Sequence, residues 1–203
     1  MKTARNWNGL IIKESICMNK RNSLNAVLDL KPKRKSRGRT LFDNIQYFLW
    51  LHVVIRKKSH RVRVAAAMRV FKTLQRQDFR LAPYRLFAYI RTIDPFVFEE
   101  LLLIAFKKRG LKVIHNKRYT GDGGIDGVVI LPSKHRIALQ AKRYQKHINV
   151  QHIRDFSASI KVHGCHGGYF IHSGKSGQAV YNELSNDITL ISGNNLHRLL
   201  TGL

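Results

Sequence analysis

The chain has 203 residues, 44% of them hydrophobic, and a formal net charge of +25 at pH 7. That length fits one domain of about 100 to 150 residues with an extension, and the apolar fraction is enough to bury a core. Two cysteines, Cys17 and Cys165, exclude a disulfide framework and lack zinc-finger spacing, which suits a reducing compartment such as the cytoplasm.

So large a positive charge favours polyanionic partners, because each phosphate neutralised by Lys or Arg releases condensed counterions. Nucleic acid leads, ahead of an anionic membrane surface or ribosomal RNA. The charge is unevenly spread: residues 1–93 hold 22 Lys and Arg against 4 Asp and Glu, and residues 94–203 hold 15 against 8. The architecture is therefore expected to change near Asp94.

Residues 1–40 lack sustained periodicity. Within them KPKRKSRGR, 31–39, is a like-charge run expected to stay disordered, either as a solvated tail or as a nucleic-acid-binding arm. The apolar stretch IQYFLWLHVVI, 45–55, lies far from the N-terminus and falls short of the roughly 20 residues that span a bilayer. A soluble protein is expected. Residues 41–78 read as helix, with Phe48, Leu51, Ile55, Val64, Ala67, Met68, Phe71 and Leu74 at helical spacings and basic residues between them. No firm helix-turn-helix signature is present, so a packing helix with a solvated basic face is the plainer reading.

From Asp94 onward the local grammar is strong. Asp94 is a good N-cap, Pro95 suits the first helical position, and Gly110 follows Lys107, Lys108 and Arg109 at the helix end. LKVI then reads as a strand, GVVIL as a second and RIALQAK as a third. A helix over 149–161 puts Val150, Ile153, Phe156 and Ile160 on one face. GGYFIHS is a fourth strand, SGQAVYNEL a helix, ITLIS a fifth strand and NLHRLL a closing helix. This order predicts an α/β domain with a mixed sheet.

The chemistry concentrates around GDGGIDG, 121–127, and QAK, 140–142. On the third strand Gln140 and Lys142 face the same way, opposite to Ile137, Leu139 and Ala141. An antiparallel hairpin through PSKHR brings Asp126 level with Gln140 and Lys142, so that a carboxylate, an amide carbonyl and an ammonium meet at one sheet end. On the preceding helix, Glu99 falls among Phe96, Leu102, Leu103 and Phe106 and is expected to point toward the sheet. Glu100 is expected to be solvated.

Plainer alternatives stand beside this reading. GDGGIDG could be a tight turn. It is no P-loop, since no Gly-Lys-Ser/Thr follows, and no EF-hand, since Ser133 stands where the twelfth-position Glu belongs. His147, His152, His163, His166 and His172 show no metal-ligand spacing. Ser173 and Ser176 lack a nucleophile-elbow context.

Taken together, FEELL, KKRGLKV, GDGGIDGVV, IALQAKRY, HIRDF and GGYFIHSG, in this order, resemble the Mrr-like restriction endonuclease family of the PD-(D/E)xK nuclease superfamily. The resemblance covers residues 94–203, and Gln140 stands where much of the superfamily has an acidic residue. It implies a restriction-endonuclease-like α/β core, a central mixed sheet of about five strands flanked by helices. It also implies metal-dependent hydrolysis of DNA, with a role in restricting foreign or modified DNA.

Carried over residue by residue, Glu99, Asp126 and Gln140 would hold Mg²⁺, with Mn²⁺ as the alternative ion, and Lys142 would act on the attacking water. Gly123 and Gly124 would let a phosphate approach closely, and Arg143 and Lys146 would bind phosphates. The expected organisation is a basic arm at 1–40, a basic partly helical region at 41–93 and an endonuclease domain at 94–203, with a homodimer compatible with cutting both strands. The family's usual winged-helix reading domain is not evident in residues 1–93. A non-catalytic DNA-binding protein that keeps the nuclease fold is the alternative, and an RNA- or ribosome-associated protein ranks third.

Overall fold

A computed structural model describes residues 24–30, 58–115 and 124–203. The part of the expected 41–78 helix before Lys58, with its apolar stretch at 45–55, the basic run at 31–39 and Gly123 lie outside the described residues. Seven helices of the described chain are labelled here: α1 (Lys58–Leu74), α2 (Gln77–Leu81), α3 (Pro83–Ile90), α4 (Pro95–Lys108), α5 (Val150–Val162), α6 (Gln178–Glu183) and α7 (Gly193–Thr201). The strands are β1 (Lys112–His115), β2 (Gly127–Ile130), β3 (Arg136–Lys142), β4 (Gly167–His172) and β5 (Ile188–Ile191).

Helix α4 starts where Asp94 predicts. One Asp94 carboxylate oxygen accepts from the Phe96 and Val97 amides at 2.9 and 3.1 Å, supplying two of the donors that a helix start leaves without an intrahelical partner. Gly110, at φ 85°, takes the left-handed conformation that ends the helix. Asp94→Ala is expected to cost about 1 kcal/mol of folding free energy. Urea denaturation checks this, with a lower midpoint at unchanged slope as the expected outcome.

The sheet runs in the order β1-β2-β3-β4-β5. β1, β2 and β3 form an antiparallel meander, with Gly127 opposite Leu139 and Ile130 opposite Arg136 in the second pair. β4 and β5 then add in parallel, Gln140 pairing with Phe170 and Lys142 with His172. Short turns suffice for the antiparallel pairs, whereas the parallel pairs need the crossovers that carry α5 and α6. The result is the expected mixed five-stranded sheet with helices on both faces.

Alternation along the strands sorts the core into two layers. Ile137, Leu139, Ala141, Tyr169, Ile171 and Ile191 pack toward α4 and α7, while Ala138, Phe170 and Ile188 pack toward Ile153, Phe156, Ile160 and Val180. Phe106 on α4 stacks against Tyr169 with ring centroids 5.7 Å apart.

The residues before Asp94 share the first of these cores. In α1, Ala67, Val70, Phe71 and Leu74 are buried against α4, and Leu86 and Ile90 of α3 join them. Residues 24–28, inside the stretch expected to be a disordered arm, form a helical turn whose Leu24, Val27 and Leu28 are buried in the same cluster. Arg198 of α7 holds Asp29 at 2.5 Å. A short apolar triad can dock on an existing surface without periodicity of its own, which is why composition alone misplaces this segment. Among the described residues, no helix is long and apolar enough to cross a membrane.

Candidate active site

Asp126 lies one residue before β2, where the strand ladder with β3 comes to its end. Its amide donates to the Leu139 carbonyl at 2.7 Å, and its carboxylate oxygen Oδ2 accepts from the Ala141 amide at 2.6 Å. The side chain thus takes over a backbone donor that β2 no longer reaches, and the carboxylate is anchored at the end of β3. A charged acceptor on a backbone N–H is among the stronger neutral-pH hydrogen bonds and orients the carboxylate.

Gln140 lies beside it, only 6% exposed. Its Nε2 donates to the Gly124 carbonyl at 2.7 Å, while Oε1 is buried and has no hydrogen-bond partner among the described residues. An unsatisfied buried acceptor is costly and calls for an explanation such as a bound cation. Gly124 is required by its surroundings: φ is +82°, and a Cβ there would lie 2.8 Å from Ser159 Oγ.

Glu99, half-buried on α4, closes the group. Burial, followed by the negative charges of Asp126 and Glu100, pushes its carboxyl up to about 8, against the pull of Lys142 and Arg63. Glu99 is therefore within electrostatic reach of both Asp126 and Lys142. Two carboxylates and a buried amide oxygen form an oxygen-only donor set, the kind that hard divalent ions such as Mg²⁺ take. The residues present fit a divalent cation of that class.

These four side chains come from α4, the start of β2 and the end of β3, in the order FEE, GID, QAK. Residues 90–200 match Mrr_cat, a restriction endonuclease family. The chain belongs to this family. Its five-stranded mixed sheet is the restriction-endonuclease-like core, and the family is one of nucleases. Two solved structures are similar at low identity. One is the DNA modification-dependent restriction endonuclease AspBHI, 18% identical with a TM-score of 0.38 over 69% of this chain and 35% of that one. The other is the MspJI restriction endonuclease in complex with a 27-mer oligonucleotide, 18% identical with a TM-score of 0.34 over 70% of this chain and 32% of that one. The chain spans about a third of the length of these two proteins. No curated protein matches it.

Within this nuclease domain one expectation needs correction. Glu100, expected to be solvated, is 2% exposed and sits between two histidines, His60 Nε2 and His115 Nδ1, each 3.1 Å from one of its carboxylate oxygens. Burial raises the Glu100 pKa, and the contacts from His115 and His60 outweigh this, leaving it at about 2. The physical reason is that α1 covers the face of α4 that a helical projection assigns to solvent. PFVFEELLLIAFKK is apolar almost all round, which is the mark of a helix buried on several sides and is the signal that would have found it.

Arg143, for which phosphate contact is expected, also makes an internal bond. Its guanidinium donates to the Arg91 carbonyl, and Arg91 in turn donates to the Ser173 carbonyl at 3.2 and 2.8 Å, which laces the end of α3 to the ends of β3 and β4. Lys146 is exposed, and its backbone carbonyl accepts from the Lys175 amide at 3.0 Å.

His172 is fully buried at the end of β4 with Nε2 3.0 Å from Ser176 Oγ, and burial holds its pKa down at about 4. The unfolded chain binds this proton near pH 6.5, and the folded one only near 4. Folding stability therefore falls as pH drops through that window, by on the order of 3 kcal/mol at most, and is unaffected by this group above it. His172→Gln should flatten the slope of the urea midpoint against pH between 6.5 and 4 relative to the parent protein. An unchanged slope would mean another group carries the effect.

Proposed function

We propose that the protein is a divalent-metal-dependent DNA endonuclease whose centre comprises Glu99, Asp126, Gln140 and Lys142. The observation that carries this reading is the Asp126 carboxylate anchored to the Ala141 amide at the end of β3 beside the buried Gln140 Oε1, with Glu99 on α4 near enough that burial first, and then the Asp126 charge, raise its pKa to about 8 while Lys142 pulls it down. A structural turn alone would have no use for two carboxyl groups that share a half-buried site. The same convergence speaks against a non-catalytic chain that keeps only the fold.

Asp126, Gln140 Oε1 and Glu99 would hold Mg²⁺, or Mn²⁺ in its place. Such an ion, when bound, supplies Lewis acidity toward a phosphoryl oxygen and lowers the pKa of water. Asp126 is presented at a set angle by its bond to the Ala141 amide. Gln140 is oriented by the Gly124 carbonyl, so its Oε1 faces the site at no further entropic cost. Lys142, on the same side of β3 and one step further out, places an ammonium where negative charge builds up during attack on a phosphodiester, and orients the attacking water. The +25 charge supplies non-specific affinity for the DNA backbone. Exposed Lys146 serves at phosphates beside the site.

The direct test is incubation of methylated and unmethylated supercoiled plasmid with the full chain, with Mg²⁺ or with a chelator. Nicking or linearisation that needs the ion supports the reading. Linearisation without a nicked intermediate would add that two copies act together. Tight DNA binding with no cleavage under any ion would return the protein to the non-catalytic class.

A further inference from the structure

The side chains of His60, Glu100 and His115 bring one potential ligand atom each to within 4.8 Å of one another, and this is the group of that kind among the described residues. They come from three separate elements: His60 from α1, Glu100 from α4 and His115 from the end of β1. All three side chains are almost fully buried, at 11%, 3% and 6% exposure. We propose that His60, Glu100 and His115 form a structural site for a transition-metal ion, with zinc the best match, that fastens α1 to the nuclease core.

The donor chemistry selects the ion. Two imidazole nitrogens and one carboxylate oxygen suit zinc and its borderline neighbours, and suit the harder Mg²⁺ poorly. Zinc lies about 2.0 to 2.2 Å from such ligands, which puts two atoms bound to one ion about 3.4 Å apart; each histidine is 3.1 Å from its own oxygen of Glu100, and one ligand atom from each of the three residues lies within 4.8 Å of the others. Side-chain rotation that draws the ligand atoms together completes the set. On binding, the ion takes the ring nitrogens that face the carboxylate, and each neutral imidazole carries its one proton on its other ring nitrogen.

Its place in the fold says what it would do. His60 lies outside the matched span 90–200, whereas Glu100 and His115 lie within it. The ion would therefore join the preceding helical segment to the endonuclease domain. Arg63, one turn further along α1, stacks over Phe96 at 4.2 Å and lowers the Glu99 pKa through its charge. Fixing α1 thus also fixes a cation beside the candidate active site, and the two sites share α4 through the adjacent residues Glu99 and Glu100. The proposal does not depend on cleavage activity.

The test is metal content and stability of the full chain. Protein expressed with zinc supplementation, and protein unfolded with chelator and refolded with zinc, is dialysed and assayed by elemental analysis and thermal unfolding. About one zinc per chain and a raised Tm are expected, retained in Asp126→Asn and lost in His60→Gln with His115→Gln. Cobalt in place of zinc should give the visible absorption of a low-coordinate ion. A parent protein that folds but holds no transition metal after either route, or one whose zinc is lost in Asp126→Asn and kept in the double His variant, would overturn the proposal. Because the parent protein alone can fail the test, poor folding of the variants does not protect it.

Discussion

Asp126→Asn and Lys142→Ala are each expected to reduce the rate of plasmid cleavage by about 10²- to 10⁴-fold while leaving DNA affinity within a few-fold of the parent. Asparagine preserves the size of Asp126 and can still accept from the Ala141 amide, so the hairpin end should persist while the charge is gone. Lys142 is only partly buried, and its replacement by Ala removes an ammonium whose charge opposes the rise of the Glu99 pKa. The two changes should differ in how they respond to metal. The Asp126 variant is expected to need far more Mn²⁺ or Mg²⁺ for any residual cleavage, since it lacks a ligand, whereas the Lys142 variant should bind the ion as before and turn over slowly. Cleavage at the parent rate by either variant would sink the proposed assignment. Plasmid nicking rates measured across a metal titration, with binding followed separately at constant salt, provide the readout, because backbone affinity falls steeply as salt rises.

The second large effect concerns folding. Arg109 is 3% exposed at the end of α4, and its guanidinium donates to the carbonyls of Ala105 at 3.4 Å, Leu199 at 2.5 Å and Arg198 at 2.5 Å. Burial, and then the charge of Arg198, bring its pKa down to about 10, so it stays charged under ordinary conditions. It gathers carbonyls from the C-terminal ends of α4 and α7, where helices leave acceptors without intrahelical partners and where positive charge is favoured. The Ala105 and Arg198 carbonyls also accept from the Arg109 and Gly202 amides, so Arg109→Ala takes the side-chain donor mainly from the Leu199 carbonyl and opens a cavity between the two helices; a loss of about 3 kcal/mol is expected. For a chain of this size that is a fall in Tm of roughly 6 to 12 °C. Calorimetry or thermal circular dichroism measures it, and a change under about 1 kcal/mol would show that relief of the buried charge offsets the lost bonds.

How much of the protein the sequence reveals depends on the range of the interactions involved. From Asp94 on, the elements follow from short-range rules: a cap at Asp94, a left-handed glycine at Gly110 and strict alternation along RIALQAK. The β2–β3 pairing also follows, because the turn between them is short and the alternation admits one register. Asp126 beside Gln140 was legible for that reason. Helical spacing likewise puts Glu99 among apolar neighbours on one face of α4.

The sequence by itself determined the α/β order of the nuclease domain, the basic character of the residues before it and the chain order of Glu99, Asp126, Gln140 and Lys142. Only the tertiary structure decided what covers the other side of α4. Helical periodicity says which residues share a face, and it is silent about what packs there, so Glu100 looked solvated until α1 was laid over it. The same holds for His60 and His115, 55 positions apart with no local spacing, and for Arg143, whose partner Arg91 precedes it by 52 positions. Such contacts arise when packing the apolar faces of several elements brings polar side chains along, and a buried charge then takes whatever partner the packing has delivered.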